Sequence, residues 1–157
     1  MIKLLRVDSR LLHGQVATAW CNEVGTDCIL VAGDHISDIA KTTMKMSKPA
    51  YAKLIFKSVD DSIAAIKSGV TDKYNLFILV ENITDAYRIA SSVDGVKDIN
   101  IGRTHKNDAY EYLNNETCAS DEQKKQMIEL ADKGIHVVLQ MIPSTKAVDI
   151  RTVVKKQ

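Results

Sequence analysis

The sequence predicts an α/β fold, a single open, mainly parallel twisted sheet with helices on both faces. Three observations predict it. Unbroken apolar runs of strand length occupy residues 28–32 and 76–80, the pattern of strands covered on both sides. Between such runs lie segments with helical periodicity and helix-capping residues. Strand and helix alternate through short connections, which favours crossover units over hairpins.

In order, residues 2–7 read as the first strand and residues 13–25 as the first helix. Within that helix Val16, Trp20 and Val24 recur at i, i+4 and i+8, with Ala17 beside them. Residues 28–32 form the second strand. Ile36, Ile39, Ala40, Thr43 and Met46 predict a helix over 36–46, closed by Pro49. A third strand covers 52–56. Ser58 caps a helix over 58–67, with Asp60 and Asp61 in its first turn and Gly69 past its end. The fourth strand is 76–80, the next helix 84–92, and the fifth strand 98–101, ending at Gly102.

Residues 103–117 are polar and weakly patterned, a loop with at most one short strand. Ser120-Asp-Glu-Gln123 has the form of a capping box, opening a helix that ends near Lys133-Gly134. A long last strand over 135–142 stops at Pro143, and 147–154 is either a short helix or an extended arm. No internal repeat, low-complexity segment or linker interrupts the pattern, so residues 1–157 are expected to form one domain. Trp20 and the Met44/Met46 pair are assigned to core packing ahead of docking.

The composition narrows the function classes. With 45% hydrophobic and 26% charged residues, the chain is expected to bury a substantial core rather than remain disordered. Its 21 basic side chains balance 20 acidic ones, leaving no broad field to hold nucleic acid. The apolar runs are far shorter than the roughly 20 residues that span a bilayer. The start has no signal-peptide pattern. Cys21, Cys28 and Cys118 form an odd set without CxxC, expected to be reduced thiols in a cytoplasmic protein. A role at a membrane would then run through a partner.

Open parallel sheets bind ligands beyond the carboxyl ends of their strands. Of the loops that gather there, the first holds a dense chemical cluster: Arg6, Asp8, Ser9, Arg10, His13, Gly14 and Gln15. His13 stands where a helix begins, beside unpaired N–H groups that welcome an anion. Arg6 and Arg10 can each fork two donors onto phosphate oxygens. Gly14 allows close approach to the backbone, and Ser9 and Gln15 are polar candidates for contact. Asp8 is expected to orient an arginine and fix the His13 ring through one nitrogen, leaving the other to attack phosphorus. Together these residues suggest a phosphoryl group placed on, or taken from, His13.

Asp34, in the second loop, either reaches this site or, the stronger reading, caps the helix that follows it. His13, His35, His105 and His136 show no metal-ligand spacing, so neither a metal nor a cofactor is expected. His136 lies in an apolar strand and reads as a core or edge residue.

The run Arg6-Val-Asp-Ser-Arg-Leu-Leu-His-Gly-Gln-Val16 resembles the N-terminal signature of IIB subunits of the mannose/fructose/sorbose family of the bacterial sugar phosphotransferase system. Residues 29–34, 72–77 and 99–102 are similar to segments of that family. The resemblance implies that His13 accepts a phosphoryl group, on Nδ1, from a phosphohistidine of a IIA protein. It also implies transfer to a sugar entering through IIC/IID membrane permease subunits, and a location at the inner face of the membrane through those subunits. Gly33 stands where the family usually has asparagine, and Arg103 where it has a second glycine. The sugar is not identified, and homo-oligomer formation stays open.

Two other functions fit parts of the pattern. A non-catalytic anion-binding domain would use Arg6, Arg10 and the helix start, although neither GxGxxG nor a Walker A stretch is present. A histidine phosphatase also places a histidine before glycine after a first strand. It expects arginine immediately before that histidine, where Leu12 stands here.

Overall fold

Period-two alternation in the first strand, β1 (Ile2–Val7), sends Leu5 and Val7 to one face of the sheet and Leu4 and Arg6 to the other. Both faces are covered, the pattern expected of a strand inside the sheet. The computed structural model, which describes residues 1–154, puts it there. With β2 (Cys28–Ala32), β3 (Lys53–Lys57), β4 (Leu76–Val80), β5 (Asp98–Ile101) and β8 (His136–Leu139), it forms a parallel sheet in the order β3-β2-β4-β1-β5-β8. A short antiparallel strand, β9 (Val148–Asp149), closes the edge beside β8. The expected mainly parallel α/β sheet is therefore the observed one.

Helices cover the two faces unequally. The first helix, α1 (π-helical over Val16–Trp20, α-helical over Cys21–Val24), packs with α2 (Asp38–Ser47) against Leu4, Ile29, Val31, Phe77 and Leu79. The opposite face, built on Leu5, Val7, Leu30, Ile78 and Val80, is covered by α3 (Val59–Ser68), α4 (Ile83–Ser92), α5 (Asp121–Asp132) and α6 (Ile150–Val153). Side-chain caps set the starts of these helices. Ser58 accepts from Asp61 N, Asn82 from Asp85 N, and Ser120 forms the expected reciprocal box with Gln123.

Several expectations are corrected. The first helix is not α-helical throughout, because after an α-helical start at Gly14 and Gln15 its Val16–Trp20 stretch takes the wider π form. Ser37 caps α2, which starts two residues later than the periodicity suggested. The 103–117 segment holds one short strand, as expected: β6 (Glu111–Tyr112), which pairs with β7 (Cys118–Ala119) just beyond it. The last long strand ends at Leu139, and residues 147–154 take both forms in turn, strand and then helix. His136 is an exposed residue whose Nδ1 is 3.3 Å from Asp98 at a strand start, so it is not in the core. Trp20 and Met44 are buried as expected, but Met46 is exposed.

Candidate functional site

The loop leaving β1 is suspended between two neighbouring strand ends. Asp8 N donates to Val80 O at the end of β4, and Ser9 N donates to Arg103 O just past β5. Asp8 O then accepts from Leu11 N, closing a tight turn. Leu11 completes it in the left-handed region, φ 56°, an uncommon conformation for a side chain of its size. Its burial against the α1 side of the sheet holds it there. His13 follows, its carbonyl accepting from Ala17 N as the helix begins.

The turn presses the Asp8 carboxylate inward, where only 1% of the residue remains exposed. Asp8 Oδ1 accepts from Arg10 N at 2.9 Å. Oδ2 is shared, lying 3.1 Å from His13 Nε2 and 3.4 Å from Arg6 Nη2. Burial opposes ionisation of Asp8. Hydrogen bonds from His13 and Arg10 N, with the charges of His13 and Arg6, outweigh that burial and hold the carboxyl below its ordinary value.

Arg6 is the largest departure from the expected site. Instead of facing an incoming phosphate, its guanidinium is buried, with 2% of the residue exposed. Burial lowers its pKa to about 10, with Asp8 opposing the fall, so it stays charged at neutral pH. Nη1 donates to Asn100 Oδ1 and to Gln140 O; Nη2 donates to Met141 O as well as to Asp8. The guanidinium carbon lies 4.6 Å from the centre of the Trp20 ring, and Trp20 Nε1 donates to the same Met141 carbonyl. Gly102 completes the enclosure, since a Cβ there would overlap the Arg6 guanidinium. Arg6 is thus a support beneath Asp8.

The other expected residues divide clearly. His13 is partly exposed, and Arg10, Gly14 and Gln15 are exposed. His13 retains 21% side-chain exposure, and its Nδ1 has no partner among the described residues. Among the described residues the exposed Arg10 guanidinium has no partner, and a Cβ added at Gly14 would meet nothing within 4 Å beyond its chain neighbours. Asp34 goes elsewhere. Its carboxylate accepts from Val59 N at the start of α3 and pairs with Arg88, so the helix it serves is not the one that follows it. Arg103 pairs at 2.9 Å with Glu116.

Sequence reasoning missed Asn100, Gln140 and the Met141 carbonyl. The available signal was a lone carboxamide in each of two apolar strand segments, with Asn100 in direct register with Arg6. A 680 Å³ cavity beside α5 and α6 and a 350 Å³ pocket at the start of α4 are lined by other residues than His13. Among the described residues no helix is long and apolar enough to cross a membrane.

Chemically, the arrangement presents one imidazole nitrogen while a carboxylate grips the other. The exposed Arg10 and the uncrowded backbone at Gly14 lie on the same loop. That is the equipment for receiving a phosphoryl group, whose transfer depends on alignment and charge stabilisation more than on covalent chemistry by the protein.

Comparison with known proteins points the same way. Residues 2–157 match the family model described as the sorbose subfamily IIB component of the phosphotransferase system. The chain is 32% identical to a probable phosphotransferase enzyme IIB component of Streptococcus pyogenes serotype M6, over 98% of this chain and 99% of the relative. It is 24% identical to the mannose-specific EIIAB component of Escherichia coli K12, over 99% of this chain and 50% of that longer protein. The fold matches the IIBSor domain of the sorbose permease of Klebsiella pneumoniae with a TM-score of 0.88 at 22% identity, over 96% of this chain and 93% of that one.

Proposed function

Because the chain belongs to the sorbose subfamily of phosphotransferase-system IIB components, we propose that His13 is the residue that carries its phosphoryl group. Family membership makes the protein a phosphoryl carrier of a sugar phosphotransferase system. The observation that carries the assignment of His13 is the division of its ring: Nε2 is 3.1 Å from Asp8, while Nδ1 has no partner among the described residues.

In this reading Asp8 keeps the proton on Nε2, so Nδ1 offers its lone pair. The Nδ1–P bond forms as the N–P bond of a donor phosphohistidine breaks, and the donor imidazole leaves. Asp8 faces the positive charge the His13 ring acquires. Arg10, the N–H groups at the start of α1 and the space above Gly14 receive the three phosphoryl oxygens. In the second half-reaction a sugar hydroxyl oxygen takes the phosphoryl group, its proton is released, and neutral His13 is restored. The activity is that of a protein-phosphohistidine–sugar phosphotransferase.

The donor is a IIA protein, a partnership supported by the E. coli relative whose name joins EIIA and EIIB in one chain. The acceptor sugar is presented by IIC/IID permease subunits, which would hold this chain at the inner face of the membrane. Residues 1–157 act as one IIB domain.

The test is the intact mass of the protein after incubation with phosphoenolpyruvate, the general phosphotransferase proteins and a mannose-type IIA. Wild type should gain one acid-labile phosphoryl group and His13→Ala none. No gain in wild type, with the IIA shown to be phosphorylated, would overturn the assignment.

A further inference from the structure

Gln140, the residue that follows β8, uses every polar atom it has. Its backbone N donates to Ile101 O at 3.0 Å, extending the β5–β8 ladder, and its backbone O accepts from Arg6 Nη1 at 2.9 Å. The side-chain Oε1 accepts from Asn100 Nδ2 at 3.1 Å. Nε2 donates to Pro143 O at 3.2 Å and to Thr145 O at 2.7 Å. The carboxamide therefore staples the turn after β8 to the sheet.

That turn supplies two of the four acceptors of the Arg6 guanidinium, the carbonyls of Gln140 and Met141. A third, Asn100 Oδ1, belongs to the carboxamide that Gln140 holds. Arg6 Nε has no acceptor among the described residues, so the buried cation depends wholly on its two Nη groups. Arg6 and His13 converge on one atom, Asp8 Oδ2. A displacement of the turn carbonyls therefore moves Arg6, then Asp8 Oδ2, and then the contact that fixes the His13 ring.

Resting on the assignment of His13 above, we propose that Gln140 is a positioning residue for phosphoryl transfer. It holds the turn after β8, and through Arg6 and Asp8 it keeps the proton of His13 on Nε2. Gln140 touches no reacting atom.

Two variants test this in the intact chain. Gln140→Leu removes all three side-chain hydrogen bonds at similar size. Gln140→Glu keeps an acceptor for Asn100 and turns an oxygen toward the Pro143 and Thr145 carbonyls. The readouts are the His13 tautomer from ¹⁵N NMR of the unphosphorylated protein and single-turnover phosphorylation by a phosphorylated IIA at varied donor concentration. In both variants we expect a mixture of tautomers where wild type has Nε2–H. The maximal rate should fall on the order of tenfold, with the half-saturating donor concentration unchanged. A tautomer and maximal rate equal to wild type would overturn the proposal. Failure of both variants to fold would assign Gln140 to stability and overturn it as well. The tautomer is read without phosphorylation, so failure of the His13 assignment in wild type remains distinguishable from failure of this step.

Discussion

Two arginines gather carboxylates at the same edge of the sheet, and they do so in opposite surroundings. Arg6 is sealed beneath the first loop, with Asp8, two backbone carbonyls and Asn100 around it. Arg88, on α4, keeps 36% side-chain exposure and is shared among Asp34, Asp60 and Asp85. Asp8 and Asp85 are both largely buried, yet their carboxyls move in opposite directions. Burial raises that of Asp85, and Arg88, divided among three partners, does not offset it. For Asp8 the same opposition is overcome by His13, Arg10 N and Arg6 acting together. A buried pair with both Nη groups directed fixes geometry, whereas a shared and wetted arginine ties elements together loosely.

Removing the buried cation should have the largest effect. Arg6→Met leaves the Asp8 carboxylate without its buried counter-charge, and we expect a loss of about 3–5 kcal/mol in urea unfolding together with loss of phosphorylation. A loss under 1 kcal/mol would put Arg6 in the same class as Arg88.

Next comes Asp8→Asn, expected to slow phosphorylation by on the order of 10²-fold, since the amide no longer selects the Nε2–H tautomer. This variant also tests the pH dependence. A carboxyl held below its ordinary value binds fewer protons in the folded than in the unfolded state. Its stabilisation is present above the unfolded pKa and is lost as pH falls through the lower folded pKa. Wild-type stability should therefore decline more steeply than that of Asp8→Asn on the acid side of the usual carboxylate range. Parallel acid limbs for the two proteins would contradict the depressed carboxyl.

Arg10→Lys keeps a charge and loses the fork; transfer should slow by about tenfold with urea stability unchanged, because this guanidinium has no partner among the described residues. An unaltered rate would remove Arg10 from the oxyanion contacts. The smallest effect belongs to Arg88→Gln. Its guanidinium is wetted and two of its three ion pairs are exposed, so the substitution should cost less than about 1 kcal/mol and leave phosphorylation as it was. A larger loss would erase the contrast from the other side.

Much of the frame was legible because its signals are local. The strand runs at 28–32 and 76–80 lie where expected, and the caps at Ser58 and Ser120 are made by the side chains that suggested them. Three features of the site were not. The π turn of α1 keeps Val16, Ala17 and Trp20 on the buried face, the same side an α-helix would bury, so the hydrophobic pattern does not separate the two. The burial of Arg6 depends on Trp20, Asn100 and the turn after β8, and charge in a strand says nothing about what will cover it. Asp34 was readable as a cap, but the α3 N-terminus it serves comes to it through the pairing of β2 with β3. Loop chemistry could be read from adjacent residues; the choice between a contact and a support could not.

The hydrogen bonds that secure Arg6 span 134 and 135 residues of sequence. During synthesis Arg6 emerges long before Gln140 and Met141, so a nascent chain carries the His13 motif with its underpinning absent. Closing so long a loop is entropically unfavourable until the intervening strands have paired. The site therefore matures with the β5–β8 pairing, and a chain stopped short of β8 would display the whole motif without the means to hold its histidine.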